Sequence, residues 1–123
     1  AAAAALAVLD VIKREAMVER SRAVGERLRV RLTELAARHP AIGEVRGLGA
    51  MLGVELVRDP STREPAPDLL AAVVAGALRQ GVILLPGGMF GNVISLGPPF
   101  VLTDDQIEAA VNAIDAAFTA CGQ

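Results

Sequence analysis

A chain of 123 residues can bury about two-thirds of the surface its unfolded form exposes, and with 53% hydrophobic residues, no Trp or Tyr and three Phe its core must be aliphatic. The net charge of −2, with acids and bases interspersed, gives no long-range field for nucleic acid or an anionic membrane. A single cysteine, Cys121, excludes an internal disulfide framework, no apolar run approaches the length of a membrane span, and the start has no basic segment of a signal peptide, so the composition predicts one soluble, cytoplasmic domain.

Ala1 to Ala5 is a strong helix former, continued by Leu6, Val8, Leu9, Val11 and Ile12 to about Glu15. Nothing before it offers an N-cap and there is no initiating Met, which predicts that native residues precede Ala1. Asp10 lies four residues before Arg14, a spacing that predicts a surface ion pair. After a slight break, a second helix is expected over about Val18 to Arg38. Val24, Leu28, Leu32 and Leu35 form its apolar stripe, while Arg22, Glu26, Arg27, Arg29, Arg31, Glu34 and Arg38 form a solvated face. His39-Pro40 closes it, with His39 set against the C-terminal end of the helix dipole.

Ala41 to Arg58 reads A-I-G-E-V-R-G-L-G-A-M-L-G-V-E-L-V-R, an aliphatic run interrupted by Gly43, Gly47, Gly49 and Gly53. It predicts a bent strand or hairpin whose glycines mark bends or close approaches of backbone or ligand. The spacing is no dinucleotide-binding loop, because the chain continues as strand through Val54-Glu55-Leu56-Val57 instead of opening a helix.

The proline-punctuated stretch Asp59 to Pro67 reads as a surface loop. Pro67 or Asp68 opens a third helix with Leu69, Leu70, Val73, Val74, Ala77 and Leu78 on its buried side and Gly81 as its stop. Val82 to Pro86 and Asn92 to Leu96 read as short strands around the loop Gly87-Gly-Met-Phe-Gly91. Gly97-Pro-Pro-Phe100 turns into a last helix, in which Thr103 and Gln106 make a capping box and Asp104 and Asp105 favour the positive end of the dipole. This order of elements predicts an α/β, α+β-like fold over residues 1–123: a small mixed, largely antiparallel sheet with helices on one face.

These residues contain no complete catalytic set. Helix capping accounts for Asp104, Asp105 and Glu108; His39 has no second histidine; Cys121 has no histidine close in sequence and lies near a frayed end. Lys13, the only lysine, sits in a charged patch of an amphipathic helix, where a surface role is expected.

The stretches H-P-A-I-G-E-V-R-G-L-G-A-M-L-G-V-E-L, Q-G-V-I-L-L-P-G-G-M-F-G-N-V-I-S-L-G-P-P and L-T-D-D-Q-I, in this order, resemble the C-terminal small domain of class III aminotransferases, of the 4-aminobutyrate type. The resemblance covers essentially the whole chain. It implies the small domain of a fold-type I enzyme and amino transfer from an amine or ω-amino acid to a 2-oxo acid. It also implies a homodimer whose missing large domain holds pyridoxal phosphate, so that this chain alone has no cofactor and no activity. In the family pattern an arginine that clamps a substrate carboxylate follows the second glycine loop, where this chain has Ser95 in Gly91-Asn-Val-Ile-Ser95-Leu. Ser95 is thus either a changed specificity position or a tolerated strand residue. By the same resemblance Gly47, Leu48 and Gly49 approach the substrate channel with Arg46 beside them; Arg46 can equally be an ion-pair partner of Glu44 or Glu55. A competing reading is a free-standing, non-catalytic ligand-binding or regulatory module that uses the glycine loops as a pocket. A third is a structural role after proteolysis, which predicts no small-molecule binding.

Overall fold

The computed structural model describes residues 1–122. Its elements are helices α1 (Ala2–Arg14), α2 (Met17–Ala36), α3 (Pro67–Arg79) and α4 (Asp104–Ala120) and strands β1 (Ile42–Leu48), β2 (Met51–Leu56), β3 (Leu85–Gly87) and β4 (Val93–Leu96). The strands form one antiparallel sheet in the order β1-β2-β4-β3. Alternation along β2 buries Leu52, Val54 and Leu56 and turns Met51, Gly53 and Glu55 to the other side. Helices α2 and α3 pack on the first side and α4 packs on both helices, which leaves the second side of the sheet open. Among the described residues no helix is long and apolar enough to cross a membrane.

The expected stripe of α2 is the one that is buried, together with Gly25. At α4 the capping box forms as expected: Gln106 N donates to Thr103 Oγ1 at 3.2 Å, and Thr103 N donates to Gln106 Oε1 at 3.0 Å. Pro67 opens α3, and Gly81 ends it with φ +83°. Gly81 N donates to Leu78 O and Val82 N to Ala77 O, so the helix end is satisfied by the chain that leaves it. This displaces the strand expected over 82–86. The amide of Val82 is spent on the helix, Leu84 turns into the core, and pairing begins only at Leu85.

Three further expectations are corrected. Arg14 lies 3.8 Å from Glu15 instead of pairing with Asp10, and α1 buries none of its residues, with Leu6, Val8 and Leu9 all more than half exposed. Glu108 does not serve the cap. It accepts from Arg31 Nε at 2.9 Å and from Arg27 at 3.1 Å, so part of the face of α2 expected to be solvated clasps α4. Burial opposes ionisation of Glu108, and the two guanidiniums outweigh it, holding the carboxyl below its usual range.

His39 does more than face the end of a helix. It is only 4% exposed, its Nε2 bonds Asp115 Oδ1 of α4 at 2.6 Å, and its ring stacks on Phe118 at 5.1 Å. The hydrogen bond from His39, joined by Arg38 at 2.6 Å, holds the Asp115 carboxyl below the usual carboxylate range against the opposing effect of burial. A carboxyl with a lowered folded-state pKa contributes stability above its unfolded pKa of about 3.9, and loses it as pH falls through the lower folded value. Asp115→Asn is therefore expected to give a flatter stability profile below about pH 4 than the parent chain, as read by urea unfolding across the acid range. An unchanged acid slope would remove Asp115 as its source.

Candidate functional site

The open side of the sheet gathers the residues singled out by the sequence. Register places Arg46 of β1 opposite Gly53 of β2, Gly53 opposite Ser95 of β4, and Ser95 opposite Leu85 of β3. These four residues make one row across the whole sheet. With strands about 4.8 Å apart, Arg46 and Ser95 are separated by roughly 10 Å at the backbone, with only a glycine between them. Ser95 and Leu85 are exposed. A side-chain carbon at Gly87 would overlap Ser95 Oγ, so the serine hydroxyl lies over bare backbone on its β3 side as well.

Arg46 is engaged. Its guanidinium donates to Glu44 at 2.7 Å and to Glu55 at 3.4 Å, as the ion-pair reading anticipated. Glu44 and Glu55 face each other across β1 and β2, a repulsive placement. Arg63 relieves it from the 59–64 loop, at 2.6 Å from Glu55 and 3.7 Å from Glu44. Two guanidiniums thus serve two carboxylates.

One step along β1 from Arg46 lies the hairpin tip. Leu48 pairs with Met51, and Gly49-Ala50 makes the turn between them. Leu48 is 87% exposed, Met51 77%, and Met89 and Phe90 of the second glycine loop are similarly open. Gly47, Leu48 and Gly49 line a pocket of about 430 Å³ with Arg22, Gly25, Glu26, Arg29 and Leu52 of α2 and β2. A second cleft, of about 390 Å³, shares Arg22, Leu48 and Gly49 with it and is lined also by Ile12, Val18, Met51 and Phe100. Leu48 and Gly49 of the tip thus border both hollows.

Sequence reasoning missed what holds these parts. Gly25 of α2 lies directly under Gly49, Ser21 accepts a hydrogen bond from Ala50 N at 3.2 Å, and Arg20 Nε donates to Phe100 O at 2.7 Å. One available signal was glycine in a helix interior, which costs about 1 kcal/mol relative to alanine and usually has a packing reason.

Among the described residues no cluster of three His, Cys, Asp or Glu suits a metal ion. Cys121 caps α4 half-buried against the core, and it lines a separate pocket with Arg58 and Asp68. Lys13 is exposed on α1, as expected.

The model of the class-III aminotransferase family matches residues 1–118. The chain is 44% identical over 118 residues to the 5-aminovalerate aminotransferase of Pseudomonas aeruginosa, covering 96% of this chain and 28% of that protein. It is 40% identical over 118 residues to the probable 4-aminobutyrate aminotransferase of Bacillus subtilis, covering 96% of this chain and 27% of the relative. Among solved structures, an amine transaminase from an uncultivated Pseudomonas species in its PLP-bound form superposes with a TM-score of 0.88 at 40% identity, over 98% of this chain and 27% of that one. The chain thus spans about a quarter of the length of the proteins it matches. Its own residues do not fit that cofactor. Pyridoxal phosphate is held through a lysine amine inside a pocket, and Lys13 is exposed on a helix that buries none of its residues.

Proposed function

The chain belongs to the class-III aminotransferase family, and we propose that residues 1–123 are the C-terminal small domain of a longer enzyme. That enzyme moves an amino group from an ω-amino acid such as 4-aminobutyrate, or from another amine, to a 2-oxo acid. It works as a cytoplasmic homodimer, and the cofactor chemistry is supplied by a large domain outside this chain. The observation that carries the reading is the open side of the sheet, where an arginine and a serine share a row beside a protruding apolar turn. The relatives named as a 5-aminovalerate aminotransferase and a probable 4-aminobutyrate aminotransferase support an ω-amino acid donor.

On this reading the domain acts as one wall of the substrate cleft. Arg46 offers a guanidinium to a carboxylate, with Arg63 left to neutralise Glu44 and Glu55. Leu48 packs along the methylene segment of the amine and keeps water from it. Holding the substrate in register is what such a wall contributes, and misplacement by about 1 Å can cost on the order of a hundredfold in rate.

The test uses the full-length gene product, supplied with pyridoxal phosphate. Each of 4-aminobutyrate and 5-aminovalerate is offered as donor, with 2-oxoglutarate or pyruvate as acceptor, and glutamate or alanine is measured. Transfer is expected with at least one pair, and none from residues 1–123 alone. A folded full-length protein that transfers with no pair, or an active isolated chain, would overturn the proposal.

A further inference from the structure

The β1–β2 turn does not hang free. It sits on one turn of α2, backbone against backbone. Gly25 is buried in the interior of a twenty-residue helix, and a methyl group there would overlap the Gly49 carbonyl and come within 2.7 Å of Ala50 N. Ser21, four residues earlier and so on the same helix face, accepts the Ala50 amide at 3.2 Å. Gly49 in turn has φ +54°, and a side-chain carbon on it would lie 2.8 Å from Ser21 Oγ. Bare backbone is required on both sides of this contact.

Ala50 of the turn is itself buried in the core, at 1% exposure. Leu52, Val54 and Leu56 of β2 also bury against the helices, together with Val24 and Leu28 of α2. What the clasp adds is a fixed backbone for Leu48 and Met51, which flank the turn and point into solvent. A two-residue hairpin tip is ordinarily among the most mobile parts of a sheet.

We infer that Ser21 and Gly25 are positioning residues, which hold Leu48 as a rigid rim against the apolar segment of the amine donor. This rests on the reading above that the turn faces the substrate. It predicts an effect on donor binding that the loss of an ordinary structural contact does not produce.

The experiment measures donor KM and kcat for the full-length, cofactor-loaded enzyme with 5-aminovalerate at saturating 2-oxoglutarate. Ser21→Ala is expected to raise donor KM about five-fold, the weight of one neutral hydrogen bond, with kcat nearly unchanged. Ser21→Thr keeps the acceptor oxygen and is expected to stay near the parent value. Gly25→Ala pushes the turn off the helix and is expected to raise KM on the order of ten-fold or more. Damage to folding alone lowers kcat through loss of active enzyme and leaves KM in place, and that pattern in Ser21→Ala would overturn the inference. So would an unchanged KM, or a Ser21→Thr enzyme as impaired as Ser21→Ala. If Gly25→Ala does not fold, the two Ser21 variants decide. A parent enzyme that transfers no amino group defeats the functional reading and this inference with it, whereas an active parent with indifferent variants defeats this inference alone.

Discussion

Phe118→Ala is expected to cost about 3–5 kcal/mol of stability, the usual range for removing a fully buried aromatic ring, and to lower the melting temperature on the order of 10–20 °C for a domain of this size. Phe118 is 0% exposed and heads the fully buried side chains by volume. Its position in α4 joins three elements at once. The ring closes the core beneath α2 and α3, and it forms the floor on which the His39 imidazole stacks. Among the described residues His39 Nδ1 is buried without a hydrogen-bond partner, while Nε2 is committed to Asp115. Truncating the ring opens a cavity beside that nitrogen, and water admitted there would solvate it and recover part of the loss. The companion Phe118→Leu fills most of the volume and gives up only the stacking and some packing, for an expected cost under about 1.5 kcal/mol. Urea unfolding of both variants separates the contributions. A Phe118→Ala loss no larger than that of Phe118→Leu would mean that the ring's burial does not hold α4 to the rest of the domain.

What could be read from the residues follows the range of the physics. The stripe of α2, the Thr103–Gln106 box and the start of α3 at Pro67 are set within a few residues of chain, and each was legible. The glycine block from Gly43 to Gly53 was legible as a hairpin for the same reason: Gly43 marks the register shift of β1, and Gly49 makes the turn. Partners far apart in the chain were not. Glu108 looks like a capping acid until Arg27 and Arg31 arrive from about eighty residues away, and His39 looks like a helix end until Asp115 and Phe118 pack on it. The strand over 82–86 failed through competition for one donor, since apolar composition says strand and the helix end takes the Val82 amide first.

The candidate site was legible as a set of residues and not as an arrangement. Arg46, Leu48 and Ser95 stood out singly, but the row that Arg46 shares with Ser95, and the side of the sheet that all three share, come from register, which spacing along the chain does not give. Ser21 was illegible, and Gly25 signalled only that something packs on it, because what they do is expressed only against Gly49 and Ala50.

Ser95→Arg in the full-length enzyme is expected to raise kcat/KM for 2-oxoglutarate by ten- to a hundredfold, because a charge-assisted hydrogen bond is worth about 1.5–3 kcal/mol and a serine hydroxyl cannot form the parallel pair. The backbone admits the change. Position 95 faces the open side, Gly53 flanks it on β2, and no side chain rises from Gly87 on β3. The principal competitor is Glu55, which is diagonal to Ser95 across β2 and β4 and already holds Arg63 at 2.6 Å and Arg46 at 3.4 Å. A new guanidinium drawn to Glu55 would be lost to the substrate, so the gain should grow when Glu55→Gln is added. Ser95→Lys should gain less, since an ammonium presents a point charge without the planar fork. An aldehyde acceptor that carries no carboxylate should show no gain with any of these variants. If 2-oxoglutarate turnover is unchanged or falls in Ser95→Arg, with the protein folded, the carboxylate does not reach this row. Ser95 is then a strand residue that the open side tolerates, and Arg46 loses its claim to the substrate along with it.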